Sequence, residues 1–189
     1  MSSTATVNVL CDGYADERVA GTVSLVRDGE AIVVVDPGMV SHRSVILDPL
    51  SALGIAPDDV TDVVFSHHHP DHTLHAALFP VARFHDHWAI YHADEWIDRP
   101  ADGYQLSASV ALMATPGHTN EDISTVVTTD AGIVVMTHVW WNAEGPQEDP
   151  LCVDAQQLHA SRAAVLDLAP ILVIPGHGPA FRPGPATPR

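Results

Sequence analysis

A run of histidine and aspartate directly after an apolar segment constrains this chain more than any other feature. Residues 60–65 predict a buried strand, and they lead into His-His-His-Pro-Asp-His at 67–72. Alternate side chains of a strand point to the same face, so His67 and His69 lie together. The proline that follows keeps His69 extended and suits the first turn of a helix, which brings the next aspartate and histidine close. These ligand types suit zinc, iron or manganese, so the run predicts a metal site.

Two later histidines occupy similar positions. His118, in Thr-Pro-Gly-His-Thr, follows a predicted strand at 107–114, and His177, in Pro-Gly-His-Gly-Pro, follows one at 171–174. A solvated histidine cluster or a tag-like tract would not explain why each motif comes after its own strand. The two motifs therefore strengthen the prediction of a metal site.

The rest of the chain predicts an α/β fold in which groups of short strands are separated by helices. Helical spacing of apolar residues appears at 41–53, despite the interior Pro49, and at 154–168, where Asp154 can cap the helix. Further strands are predicted at 6–10, 21–26, 31–35, 82–85, 88–92, 123–128 and 133–136. This order predicts a two-sheet sandwich with helices outside. A doubly wound parallel sheet fits less well, because consecutive strands favour antiparallel pairing.

Length and composition predict one domain over 1–189, with a Pro- and Gly-rich tail at 182–189 that frays. Hydrophobic residues make up 46% of the chain, enough for a buried core. We find neither an apolar run of the roughly 20 residues that span a membrane nor a secretory signal, so we expect a cytoplasmic protein. The formal charge is −16 and every basic residue is arginine, which makes nucleic acid an unlikely partner.

The three histidine motifs, in this order, resemble those of the metallo-β-lactamase superfamily, and Asp36 in Val-Asp-Pro-Gly matches another of its elements. The resemblance runs from about 22 to 179 and is strongest to a compact single-domain subgroup. It implies an αββα sandwich of two mixed β-sheets flanked by helices, with metals at one edge between the sheets. It also implies two ligand sets: His67, His69 and His118 for a first metal, and Asp71, His72 and His177 for a second.

His138 stands where many members of that superfamily carry an aspartate that bridges the two metals. A neutral imidazole offers one lone pair where a carboxylate has two oxygens, so we expect weaker binding of the second metal or a longer metal–metal distance. His138 could still be a terminal ligand of that metal. The alternative is that it is displaced and lies only beside the ligands.

The site predicts a hydrolase that uses a metal-bound hydroxide on a small ester, thioester or lactone, with Asp71 as the catalytic residue that orients the nucleophile. The expected cofactor is Zn²⁺, one or two ions, with iron or manganese as alternatives. The same fold also implies RNA phosphodiester hydrolysis as a second activity. His138 keeps open a different class of answer, a metal-binding protein with little hydrolytic activity or an iron redox site.

Several other residues have two interpretations at this stage. Trp140 and Trp141 could form an aromatic wall over the metals or pack in the core and at a homodimer contact. We expect Arg162 on a helix surface, and His68 pointing away from the metals. His75 either orients a ligand imidazole or lies at the surface, and for His85, His87 and His92 a solvated loop is favoured over the pocket.

Overall fold

A computed structural model describes residues 4–189, in which two β-sheets pack face to face with helices on their outer sides. The strands are β1 Thr6–Cys11, β2 Tyr14–Ala15, β3 Val19–Ala20, β4 Val23–Asp28, β5 Ala31–Val35, β6 Asp62–Val64, β7 Arg83–His85, β8 Ala89–His92, β9 Glu95–Asp98, β10 Val110–Ala114, β11 Ile123–Thr129, β12 Gly132–Thr137 and β13 Leu172–Pro175. The α-helices are α1 Ser44–Ala52, α2 Pro70–Thr73 and α3 Ala155–Asp167, and single 3₁₀ turns form at Pro57–Asp59 and Ala76–Leu78.

Both large sheets are mixed. The first has seven strands in the order β1-β4-β5-β6-β7-β8-β9, with parallel pairing of β6 to both of its neighbours. The second has four strands in the order β10-β11-β12-β13, of which only the last pair is parallel. Strands β2 and β3 form a separate small hairpin. This arrangement confirms the predicted α/β class with mixed sheets and flanking helices.

The core lies between the two sheets and under the two longer helices. Alternate residues of the strands, such as Val64 and Leu112, are buried between the sheets. On the outer faces, Ile46 of α1 and Val165 of α3 are fully buried against the first and second sheet. Burying an aliphatic side chain of this size contributes about 1.5–3 kcal/mol, so these contacts hold the helices against the sheets.

Some element boundaries differ from the sequence prediction for identifiable reasons. The strand expected from 107 begins only at Val110, because Ser107 and the side chain and backbone N–H of Ser109 donate hydrogen bonds to the carboxylate of Asp28. Helix α1 starts at Ser44 rather than 41 and contains Pro49. Strands β2, β3 and β9 were not predicted: two of them have two residues each, and every residue of β9 is exposed.

The C-terminal segment contacts the loop that follows β12. The indole Nε1 of Trp140 donates a hydrogen bond to the carbonyl oxygen of Pro188 at 2.8 Å.

Within residues 4–189, none of the helices is both long and apolar enough to cross a membrane.

Candidate metal centre

The predicted site residues meet at one edge of the sandwich, where strands of both sheets end. His67 and His69 follow β6, and the short helix α2 begins at the proline after them. In the second sheet, His118 follows β10, His138 follows β12 and His177 follows β13. Because the ends of these strands face one another across the core, histidines that are more than 100 residues apart in sequence come into contact.

One group of donor atoms consists of His67, His69 and His118. Nε2 of His67 lies 2.9 Å from Nδ1 of His69, which lies 3.2 Å from Nε2 of His118. Two nitrogens that bind one zinc ion tetrahedrally at 2.0–2.1 Å are about 3.3 Å apart. The three imidazoles therefore have the spacing of neighbouring ligands of a single ion.

A second group consists of Asp71, His72 and His177. Oδ2 of Asp71 lies 3.3 Å from Nε2 of His72 and 3.5 Å from Nε2 of His177. Nε2 of His72 is fully buried and makes no hydrogen bond of acceptable geometry with any residue in the described range 4–189. A buried nitrogen without a partner is costly, and a cation at this point would satisfy it together with the carboxylate.

His138 lies between the two groups. Its ring centroid is 4.2 Å from that of His118 and 4.8 Å from that of His72. Its Nε2 lies 3.2 Å from Nε2 of His177, and it forms a third potential ligand group with His67 and His72. The imidazole is therefore not displaced from the cluster and lies within reach of both donor groups. The assignment of all seven residues as ligands remains a prediction.

Hydrogen bonds on the outer side of the rings direct electron pairs into the cluster. Nδ1 of His177 faces the carbonyl oxygen of Ala20 at 2.9 Å, so this nitrogen carries the proton and Nε2 has the free electron pair. Nδ1 of His118 donates in the same way to the carboxylate of Asp149 at 2.7 Å. Histidines that bind metals are commonly held in the required tautomer by such outer contacts.

The electrostatics of the cluster also suit cations. Burial, and then the charge of neighbouring histidines, holds the pKa of His67 and His138 well below the usual value, so both rings stay neutral. Burial also disfavours a charge on His72, but Asp36 and Asp71 outweigh it and raise the pKa of His72 to about 9. One part of the cluster thus offers neutral ligands, and the other part attracts a positive charge.

Two glycines allow the backbone to approach the cluster closely. A Cβ atom at Gly176, in the Pro-Gly-His motif, would lie 2.3 Å from the ring of His138. A Cβ atom at Gly38, in the Asp-Pro-Gly motif, would lie 1.6 Å from the carbonyl oxygen of Asp71. Any other residue at these positions would push site residues apart.

The donor groups face a pocket of about 290 Å³, which we call the metal-facing pocket because potential metal ligands line it. Besides the polar site residues, its lining includes Ala15, Val19, Trp141 and Leu151. The two neighbouring tryptophans therefore have different roles: Trp141 lines the pocket, whereas Trp140 is fully buried between the second sheet and α3. The core interpretation is confirmed for Trp140, and Trp141 lies where the aromatic-wall interpretation requires it.

The five histidines for which the sequence predicted positions outside the ligand groups all lie away from the pocket. His68 is exposed, contacts Asp86 at 3.1 Å and stacks on Trp88, so it points away as expected. Nδ1 of His75 pairs with the carbonyl oxygen of Gly38 rather than with a ligand imidazole. The solvated loop predicted for His85 is wrong, because this ring is completely buried and hydrogen-bonds Asp62 at 2.8 Å. His92 is exposed and His87 is half-buried, and neither lines the metal-facing pocket.

The surface position predicted for Arg162 is also wrong. This side chain is fully buried, and its guanidinium donates to the carbonyl oxygens of Val139, Pro146 and Gln147 at 2.7–2.9 Å. The helical pattern alone suggested exposure because an isolated arginine rarely enters a core. Here it holds the segment that follows β12 and carries Trp141.

Sequence reasoning missed Asp149, which connects a site histidine to the pocket wall. One oxygen of its carboxylate accepts hydrogen bonds from His118 Nδ1 and, at 3.0 Å, from Trp141 Nε1. Burial alone would raise the pKa of the Asp149 carboxyl. These two hydrogen bonds, with one from the backbone N–H of Leu151, outweigh burial and bring the pKa below its usual value, so the group is ionised. A loop aspartate 31 residues after His118 gives no local sign of this contact.

We expect Asp149→Asn to weaken metal binding about 10- to 100-fold, as is typical when the partner of a metal-binding histidine is removed. An amide still accepts one hydrogen bond but carries no charge to favour the correct tautomer of His118. Competition with a coloured chelator measures the dissociation constant of the metal. Glu148→Gln, which neutralises the exposed neighbouring residue, is the control and should leave the constant unchanged.

Comparisons with known proteins agree with this geometry. The family model of the metallo-beta-lactamase superfamily matches residues 16–181. A Xenopus laevis protein named metallo-beta-lactamase domain-containing protein 1 is 36% identical over 192 residues, covering 93% of this chain and 81% of that relative.

Two solved structures share the fold. A Thermotoga maritima structure described as a metallo-beta-lactamase aligns with a TM-score of 0.76 at 22% identity, covering 96% of this chain and all of that one. An N-acyl homoserine lactone hydrolase, solved with its product N-hexanoyl-L-homoserine at the catalytic metal centre, aligns with a TM-score of 0.67 at 18% identity, covering 94% and 93% of the two chains. The resemblance seen in the histidine motifs is thereby confirmed, and the chain belongs to the metallo-beta-lactamase superfamily.

Proposed function

We propose that this chain is a metal-dependent hydrolase of small esters, thioesters or lactones, with one or two Zn²⁺ ions as cofactor. The observation that carries the proposal is the pair of donor groups, one of His67, His69 and His118 and one of Asp71, His72 and His177, at the base of a single pocket. A bound divalent ion supplies a water of lowered pKa and polarises a carbonyl oxygen. Iron or manganese would fit the same donor types.

In this proposal Asp71 orients the attacking water. Its carboxylate lines the pocket and is half-buried. Partial burial raises its pKa, but contact with His72 outweighs this effect and lowers the pKa to about 2. The group is therefore ionised at neutral pH and can accept a hydrogen bond from water and, later, a proton as the tetrahedral intermediate collapses.

The substrate class is supported by the pocket and by one of the similar structures. Among the described residues 4–189, the pocket lining contains apolar side chains, histidines and Asp71 but no arginine, so no guanidinium faces the pocket to bind a phosphate. The lactone hydrolase that shares the fold acts on a small neutral ring ester. RNA phosphodiester hydrolysis is the second candidate, and the chain's net charge of −16 opposes its binding.

A charge-neutral replacement of Asp71 tests the proposal. We expect Asp71→Asn to lower kcat by about 10²- to 10⁴-fold on whichever ester, thioester or lactone the wild type hydrolyses, because proton transfer at a positioned side chain contributes about that much. Asp94→Asn, in an exposed turn after β8, should retain the wild-type rate.

Screening the metal-loaded wild type against esters, thioesters, lactones and a single-stranded RNA decides between the candidates. Turnover of RNA alone would favour the second candidate. If the metal-loaded protein turned over none of these substrates, the hydrolase proposal would be wrong.

A further inference from the structure

The mouth of the metal-facing pocket has an apolar inner rim formed by two separate segments. On one side, the β2–β3 hairpin contributes Ala15 and Val19, and on the other the loop after β12 contributes Trp141 and Leu151. Leu151 is 61% exposed and Val19 is 37% exposed. Apolar side chains on both sides of a polar centre form a contact surface for an apolar part of a ligand.

Both sides of the mouth are held firmly. Gly21, directly after the hairpin, donates from its backbone N–H to the carbonyl oxygen of Asp71 at 3.0 Å, and Thr22 donates to that of Gly176 at 2.8 Å. On the opposite side, Asp149 accepts hydrogen bonds from Trp141 and from the backbone of Leu151. The apolar rim is thus a pre-formed surface, which lowers the entropic cost of binding.

The charged residues around this rim are mostly acidic. Asp16 and Glu17 are exposed in the hairpin next to Val19, and Glu148 is exposed near Leu151. Glu121 is half-buried and lies three residues after the pocket residue His118. The hairpin's one arginine, Arg18, lies over the ring of Tyr14 at 5.8 Å, and it lines a neighbouring groove together with Asp16 and Glu17. The charged hairpin residues therefore lie beside the pocket and not in its lining, and two of the three are acidic.

We propose that the pocket selects ligands that carry a short apolar acyl chain and no negative charge, and that it prefers a cationic over an anionic group on the part that reaches the mouth. The apolar rim would bury the acyl chain, while the acidic residues would repel carboxylates and phosphates and attract ammonium groups. This selectivity deepens the proposed function, on which it rests for the reaction, but it can be tested by binding alone.

Binding of alkyl hydroxamates to the zinc-loaded protein provides that test, because a hydroxamate chelates a metal and its chain length can be varied. Calorimetry would measure a series from acetohydroxamate to octanohydroxamate. We expect the affinity to rise about fourfold for each methylene group buried, until the pocket is filled. At equal length, an ω-carboxylate should bind at least about tenfold more weakly than an ω-amine, and salt should reduce this difference.

Variants of the rim separate the apolar contribution from metal chelation. Leu151→Ser with Val19→Ser should reduce the gain per methylene to less than about twofold and leave acetohydroxamate binding unchanged. Leu74→Ser is the control, because Leu74 is 59% exposed on a different groove and should not affect the series. Intact selectivity in the double variant would assign it to residues other than the rim and overturn the proposal.

Binding that does not depend on chain length, equal affinity of the two charged forms, or no binding of any hydroxamate would also overturn it. The outcome is separable from that of the proposed function. Selective binding without turnover of any ester, thioester or lactone would reject the hydrolase alone. Turnover without selectivity would reject the present inference alone.

Discussion

Replacing His118 with alanine is expected to lower kcat/KM for ester hydrolysis on the order of 10³-fold or more and to reduce the bound metal. Its Nε2 is part of the first donor group, and the other two members, His67 and His69, cannot hold an ion as tightly without it. Metal catalysis supplies several kcal/mol of transition-state stabilisation, and each 1.4 kcal/mol changes the rate tenfold. Elemental analysis and steady-state rates on the same preparation measure both effects.

His92→Ala is the matched control for this variant. His92 is exposed on β8 and does not line the metal-facing pocket. The His92→Ala variant should keep the wild-type metal content and rate. A loss of metal and activity in the His118 variant would then result from the change in the cluster and not from having one histidine fewer. A His118→Ala protein with full metal content and full rate would contradict the assignment of this residue.

Replacing Arg162 with alanine is expected to destabilise the fold by about 3–5 kcal/mol. The guanidinium is fully buried and donates to three backbone carbonyl groups. Hydrogen bonds from a charged group contribute about 1.5–3 kcal/mol each, and because all three share one guanidinium group their contributions add only in part. The carbonyl groups would also be left without these donors. Because domains are typically stable by 5–15 kcal/mol, much of the free energy of unfolding would be lost. Urea unfolding followed by tryptophan fluorescence measures the change.

Two further variants make the Arg162 result interpretable. Arg162→Lys keeps the charge but lacks the planar set of donors, so it should fall between alanine and the wild type. Arg182→Ala removes an exposed arginine and should change the free energy of unfolding by no more than about 0.5 kcal/mol. If Arg162→Ala were as stable as this control, the buried hydrogen bonds would contribute nothing.

The fold class and the residues of the cluster could be predicted because local patterns encode them. The spacing of His67 and His69 after an apolar strand, and the glycine motifs around His118 and His177, depend only on neighbouring residues. The structure brings all of these residues to one edge of the sandwich. The prediction that these residues lie close together depended on the resemblance to the superfamily, because local sequence patterns do not show which distant strands are neighbours.

The features that were missed or wrong depend on contacts between distant segments. Arg162 can be buried only because three backbone carbonyl groups of the segment after β12 accept hydrogen bonds from its guanidinium. The sequence pattern within α3 gives no sign of these acceptors. Asp149 reaches His118 across 31 positions of sequence. His85 is buried because Asp62 of the neighbouring strand provides a partner. Long-range polar pairing of this kind overrides the usual preference of charged residues for solvent.

The metal content of the wild-type chain, compared with that of a His67→Ala/His118→Ala variant, tests the central claim most directly. Both proteins would be incubated with zinc, freed of excess metal by gel filtration and analysed for bound metal and for ester hydrolysis. We expect at least one equivalent of metal in the wild type, about one equivalent less in the variant because its first donor group is removed, and a parallel loss of hydrolysis. A wild type that retains no metal, or a variant that retains both the metal and the activity, would contradict a metal centre built on these histidines.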